Sequence, residues 1–169
     1  TIRKQTSLYY GPKYSKEQLN QSVLQVEDKF TTYKGNPKVV AELLNEGNIV
    51  TLFQGSSEAG PRALGNRSIL YNATDPNGKE FVNKVKGREW FRPFAGTVLE
   101  EDVNKWFDLA GMDSSPFMMY AVDVRTLHPT QDQDPVPSIT HVDDTCRIQT
   151  VNKDQNEHYY NIINEFKKL

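Results

Sequence analysis

The sequence predicts an α/β domain, on three observations. Short β-rich runs alternate with helical repeats along the chain, and several helices carry recognisable start and stop residues. The composition is that of a globular protein, with 25% charged and 11% aromatic residues. At 169 residues the chain reads as one domain, long enough to bury roughly two-thirds of the surface its unfolded form exposes.

Residues 1–14 read as an extended segment closed by the turn Gly11-Pro12. Ser15 with Gln18 three residues on forms a capping box, and Leu19, Val23, Val26 and Phe30 follow at helical spacing, so a first helix should run to Thr31 or Thr32. Asn36-Pro37 caps a second helix with Val39, Val40, Leu43 and Leu44 on its apolar face, and Gly47 stops it in the left-handed position. NIVTLFQ, residues 48–54, lies between Gly47 and Gly55 and reads as a buried strand. A loop over 55–66 leads to a second strand over 67–72. Asp75-Pro76 repeats the capping signal for a helix bearing Phe81, Val82 and Val85 and ending at Gly87, with Lys86 in its last turn and Arg88 just beyond. Strands over 94–99 and 118–124 enclose a short helix through Val103, Trp106 and Phe107. Residues 126–139 hold three prolines and several polar residues and read as a long exposed loop. A strand over 147–151 and an amphipathic helix from about Asn156, striped by Tyr159, Ile162, Ile163 and Phe166, complete the pattern.

Composition excludes some classes. No apolar run approaches the roughly 18 residues of a membrane-spanning helix, and the N-terminus has no signal-peptide core. The single cysteine, Cys146, rules out an intramolecular disulfide and fits the reducing cytoplasm. A net charge of −2 argues against a general nucleic-acid binder. The absence of an initiator methionine points to a piece of a longer protein.

Cationic charge is concentrated in one window. Between Arg62 and Arg92 seven cations face three acids, a net +4, which leaves −6 for the rest of the chain. These residues are interleaved with Gly, Pro and aromatics, which order backbone, so the window reads as a built anion site. A guanidinium stays charged and offers five donors in a planar fork suited to phosphate or carboxylate oxygens. Arg62 follows Gly60-Pro61 and Arg67 follows Gly65-Asn66, so tight turns should fix both. Lys86, Arg88 and Arg92 surround a helix C-terminus, which favours cations whether or not a ligand binds there. Glu58 suits either an arginine partner that holds Arg62 or a ribose hydroxyl. Of Trp90, Phe91 and Phe94, able to stack on a base, at least two are expected in the core.

A second constellation is THVDDTCRIQTV, residues 140–151. His141 with Asp143 and Asp144 is a poor metal set, because adjacent residues of an extended segment face opposite sides. Arg147 begins the apparent strand, where its side chain can reach a cleft. Cys146 lacks a readable activating partner and suits a buried inert thiol, and neither His128 nor His158 suggests a role. The chain has no GxxxxGK[ST], GxGxxG, zinc spacing or GxSxG.

Taken together, E-x-G-P-R-A-L-G-N-R-S-I at 58–69, K-G-R-E-x-F-R-P-F-A at 86–95 and H-V-D-x-T-x-R-I-Q-T-V at 141–151 resemble the C-terminal domain of the O-carbamoyltransferases. The resemblance implies a YrdC-like twisted mixed sheet with flanking helices around a basic cleft. It implies that this domain binds ATP, with Mg2+ on the nucleotide, and carbamoyl phosphate, and forms carbamoyl-adenylate. A separate N-terminal domain of the same protein, with an iron site, would then pass the carbamoyl group to an acceptor hydroxyl. Lys86, Arg92 and Arg147 are the implied catalytic residues, and Arg62, Arg67 and Arg88 join them in binding phosphates or nucleotide. Gly96 stands where the family commonly has proline, and Asp144 where it commonly has glycine. Family members also continue past the position of Leu169, which implies that the last part of the domain lies beyond this chain. The competing readings are a non-catalytic nucleotide- or RNA-binding module of the same fold, and a structural remnant.

Overall fold

The computed structural model describes residues 5–125 and 134–169, and its architecture is mixed α/β. Helix α1 spans Lys16–Leu24 and α2 spans Pro37–Asn45. Strands β1 (Val50–Phe53) and β2 (Arg67–Leu70) form an antiparallel pair, followed by α3 (Gly78–Val85). Strand β3 (Ala95–Leu99) leads through a 3-10 turn at Glu100–Asp102 into the single-turn α4 (Val103–Trp106). Strands β4 (Phe107–Asp108), β5 (Ala121–Val124) and β6 (Thr145–Val151) precede the C-terminal α5 (Lys153–Phe166). The main sheet has the order β3-β6-β5-β4, parallel between β3 and β6 and antiparallel elsewhere.

The two faces of this sheet differ. Val98, Val122, Cys146 and Ile148 point into one apolar cluster with Val103, Phe107, Leu109, Val136 and Ile139. Leu99 and Val151 point the other way, beneath Tyr159 of α5, where Leu52, Leu70 and Ile163 join them. Strand alternation therefore sends Thr145, Arg147 and Gln149 to the α5 side as well. Burial along that side grades from Val151 at 0% exposed, through Gln149 at 2%, to a half-buried Arg147, while Ala121 and Asp123 of β5 are exposed. Helix α5 covers one end of this face and leaves the Arg147 end open.

Most capping signals act as expected. Ser15 and Gln18 form the capping box, Asn36 Oδ1 accepts from Val39 N–H, and Gly47 sits at φ 80. Five expectations are corrected. Helix α1 ends at Leu24 and buries no residue, leaving Val26 and Phe30 beyond it and exposed. Strand β1 is half-exposed because its only partner among the described residues is β2, and Phe53 is 58% exposed. Helix α3 starts at Gly78, because Asp75 instead accepts from Asn77 N–H and Tyr71 Oη–H in the preceding turn. Phe107 lies in β4 and not in the helix before it. Within the expected loop at 126–139, residues 126–133 lie outside the described residues, while Val136 and Ile139 are buried in the core.

Helix α5 is two pieces joined at Asn156, whose backbone is extended at φ −160 and ψ 86. Asn152 and Gln155 cap the first turn, and Asn156 Oδ1 accepts from Tyr159 N–H to start the longer piece. That is the helix start read from the apolar stripe.

Candidate functional site

Three arginines from distant parts of the chain converge on the open end of the sheet. Arg147 stands on β6 between Ala95 of β3 and Ala121 of β5, its register partners on either side. Two methyl groups flanking a guanidinium leave room above the sheet. Arg62 and Arg88 are close enough that their charges, after burial itself, depress the Arg147 pKa from its ordinary value. All three are half-buried, their Nε atoms are buried with no hydrogen-bond partner, and no acid among the described residues forms an ion pair with any of them. Like charges gathered without an ion-pair partner are unfavourable unless an anion completes the group.

The loop over 55–66 presents Arg62, and seven side chains hold that loop. Glu58 Oε1 accepts from the N–H groups of Leu64 at 2.7 Å, Asn66 at 2.9 Å and Arg67 at 3.2 Å. Glu58 thus fixes backbone and, among the described residues, pairs with no arginine side chain, which corrects its reading as a partner of Arg62. The Leu64 carbonyl accepts from Tyr9 Oη–H at 2.7 Å and Gln149 Nε2–H at 3.0 Å. Gln54 donates to Gly65 O, Ser68 Oγ accepts from Gly65 N–H, and Asn66 bridges Ser56 O and Asn156. Every one of these partners lies outside the tip that carries Arg62, so the arginine sits on a braced scaffold.

Asn83 positions Arg88. Its side chain is buried and its Nδ2 donates to Trp90 O at 3.1 Å and Arg92 O at 3.0 Å, pinning the turn after α3. Gly87 takes φ 60 and Arg88 N–H returns to Asn83 O. The Arg88 guanidinium then lies 4.9 Å from the Phe94 ring centre and donates from Nη2 to Pro93 O at 3.3 Å.

The other candidates are placed differently. Arg67 donates from Nη1 to Gln54 O and Asn66 O, at 2.6 and 2.8 Å, and stacks 3.8 Å over Phe53, clamping the β1–β2 pair. Arg92 is exposed and paired with Glu89, Nε to Oε2 at 2.6 Å; Lys86 is exposed at the C-cap of α3. Trp90 and Phe91 are 72% and 61% exposed and meet edge to face, so the expectation that at least two of the three aromatics are core fails: only Phe94 packs against the core. Cys146 is fully buried, and burial pushes its thiol up to about 12, which makes it inert. Asp144 takes φ 62, the left-handed conformation that glycine favours, so aspartate fills the turn at some strain. Among the described residues no three His, Cys, Asp or Glu side chains cluster as a metal site.

Tyr9, Gln54, Asn83, Gln149 and Asn156 position the site and carry no signal in the arginine window. Gln149 and Asn83 do leave one trace: each is a polar residue inside an apolar strand or helix face, where it must find a partner.

The chain matches known proteins over most of its length. It is 37% identical to nodulation protein NolNO of Sinorhizobium fredii and 38% identical to nodulation protein NolO of Bradyrhizobium diazoefficiens, each over 95% of this chain. It is 38% identical to nodulation protein U of Sinorhizobium fredii over 77% of this chain. The chain spans only 24%, 30% and 22% of the lengths of those relatives. Residues 41–169, from α2 through α5 and including all three converging arginines, match the family described as carbamoyltransferase C-terminus, and the chain belongs to that family.

Proposed function

We propose that this chain is the part of a carbamoyltransferase that binds carbamoyl phosphate and ATP and, with one water, converts them to carbamoyl-adenylate, inorganic phosphate and pyrophosphate. One observation carries the reading: Arg62, Arg88 and Arg147 meet on a braced surface with no ion pair to an acid among the described residues. Three fixed guanidinium groups match the oxygens of a phosphoryl group and stabilise the charge that grows on pyrophosphate as a new bond to the α-phosphorus forms. Such a site acts by alignment and charge, without a covalent enzyme intermediate. Lys86 and Arg92 are assigned to carbamoyl phosphate or the nucleotide phosphates, as the motif resemblance implies. Arg92 would exchange Glu89 for ligand at little cost, because both partners of that ion pair face solvent, which screens it. Mg2+ would arrive on the nucleotide phosphates. Transfer to an acceptor hydroxyl is assigned to a preceding domain of a longer polypeptide, consistent with relatives several times the length of this chain. That domain would also hold the iron.

The test is equilibrium binding of carbamoyl phosphate and of ATP to wild type and Arg147→Met, with pyrophosphate release as the catalytic readout. The variant is expected to bind at least about tenfold more weakly, while its thermal stability stays level or rises as the repulsion is relieved. A wild-type chain that binds neither ligand at millimolar concentration would sink the proposal.

A further inference from the structure

At the start of β6, two residues before Arg147, Thr145 holds a histidine whose hydrogen bonds fix its tautomer. His141 Nδ1 lies 3.0 Å from Thr145 Oγ1, and Thr145 Oγ1 lies 2.7 Å from Asp143 Oδ1. Asp143 Oδ1 also accepts from Thr145 N–H, and these contacts hold its carboxyl below the usual range. The carboxylate can only accept, so it takes the single hydroxyl proton of Thr145. Thr145 Oγ1 can then only accept from the ring. Nδ1 therefore carries the hydrogen, and in the neutral imidazole Nε2 presents a lone pair. Nε2 is buried and has no partner among the described residues. Buried acceptors are rarely left unpaired, and this one calls for a donor.

The register places Thr145, the partner of the ring, on the face of β6 that carries Arg147. The turn from His141 to Asp144 closes on β6 through His141 N–H to Thr145 O at 2.7 Å. Thr145 and Arg147 are two residues apart on β6, so their side chains leave the same face roughly 7 Å apart. Ala95, Ala121 and Asp123 share that face, and Asp123 is exposed to water. The three arginines supply donors only. A ligand that carries an N–H beside its phosphate needs an acceptor as well, and a methyl group in place of the N–H would leave that acceptor unpaired.

Resting on the carbamoyl phosphate reading above, we propose that His141 Nε2 accepts a hydrogen bond from the carbamoyl N–H and makes the site prefer a carbamoyl phosphate to an acetyl phosphate of the same shape. The experiment measures equilibrium binding of carbamoyl phosphate, acetyl phosphate and inorganic phosphate to the full chain. Wild type is expected to favour carbamoyl over acetyl phosphate about tenfold. His141→Leu removes the acceptor and Thr145→Val removes the group that fixes the tautomer, so both should bring the ratio towards one. His141→Gln, whose amide oxygen can stand near the Nε2 position, should keep part of the preference. Continued binding of inorganic phosphate shows in each variant that the arginine site is intact. Equal binding of the two acyl phosphates by wild type, or an unchanged ratio in Thr145→Val, overturns this inference and leaves the anion site standing. If wild type binds none of the three, both readings fall. The wild-type ratio and Thr145→Val decide the matter even where His141→Leu does not fold.

Discussion

At Gly65 the backbone takes φ 105, and the Tyr159 ring of α5 closes over the position a side chain would occupy. A Cβ there would fall 2.7 Å from Tyr159 Cγ. Gly65→Ala is therefore expected to destabilise the chain by about 2 kcal/mol or more, through backbone strain and through the displaced ring. It should also weaken phosphate binding, because Arg62 stands three residues upstream on the same braced loop. Denaturant unfolding together with phosphate titration checks both, and full stability in the variant would show that Tyr159 moves freely. The sequence pointed to this glycine as a turn former beside an arginine, but could not say which arginine the turn serves. Arg62 and Arg67 follow similar Gly-containing turns, yet the buried Nε of the first has no partner among the described residues and the second clamps carbonyls of Gln54 and Asn66. That difference depends on where β1 lies against β2, a tertiary fact no local pattern encodes.

Asp102 joins elements that are remote in sequence. Its buried carboxylate accepts from Lys105 Nζ at 2.6 Å, after α4 has begun, and from Lys167 Nζ at 2.5 Å, at the end of α5. The hydrogen bonds from Lys105 and then Lys167 hold its pKa below the ordinary value. The unfolded chain therefore binds this proton more readily than the folded one, so the pairing stabilises the fold above the ordinary carboxylate pKa of about 4 and is lost as pH falls through the lower folded value. Wild type should lose stability on acidification below about pH 4 more steeply than Asp102→Asn, as thermal melts across pH would show. Parallel curves would mean that the pairing contributes nothing. Elements were legible where a local cap sets them: Ser15 with Gln18, Asn36 before Pro37, and Gly47. Packing was less so. Helix α1 has its capping box and its apolar spacing but buries nothing, because spacing reports which face is apolar and not whether anything covers it.

Across the whole molecule, the arginines were legible as an anion site because turn residues and cations shared one window, and the third motif brought in Arg147. The bracing was not legible. Tyr9 and Asn156 lie near opposite ends of the chain and meet at the same loop, Asn156 Nδ2 donating to Tyr9 Oη at 3.2 Å. The parallel pairing of β3 with β6 has a kinetic corollary. Arg147 reaches the cleft only when β6 docks beside β3, with β4 and β5 lying between them in sequence. Such long-range pairings form late, since loop closure must precede the contacts that repay it. Where β6 docks beside β3 after the folding transition state, the anion site is present only in the finished structure. Phosphate at a hundredfold excess over its Kd should accordingly slow unfolding about a hundredfold and leave refolding unchanged, so occupancy governs how long the native state survives rather than how fast it is reached. Stopped-flow unfolding and refolding with and without phosphate would separate the two, and faster refolding in phosphate would show that the arginines gather early.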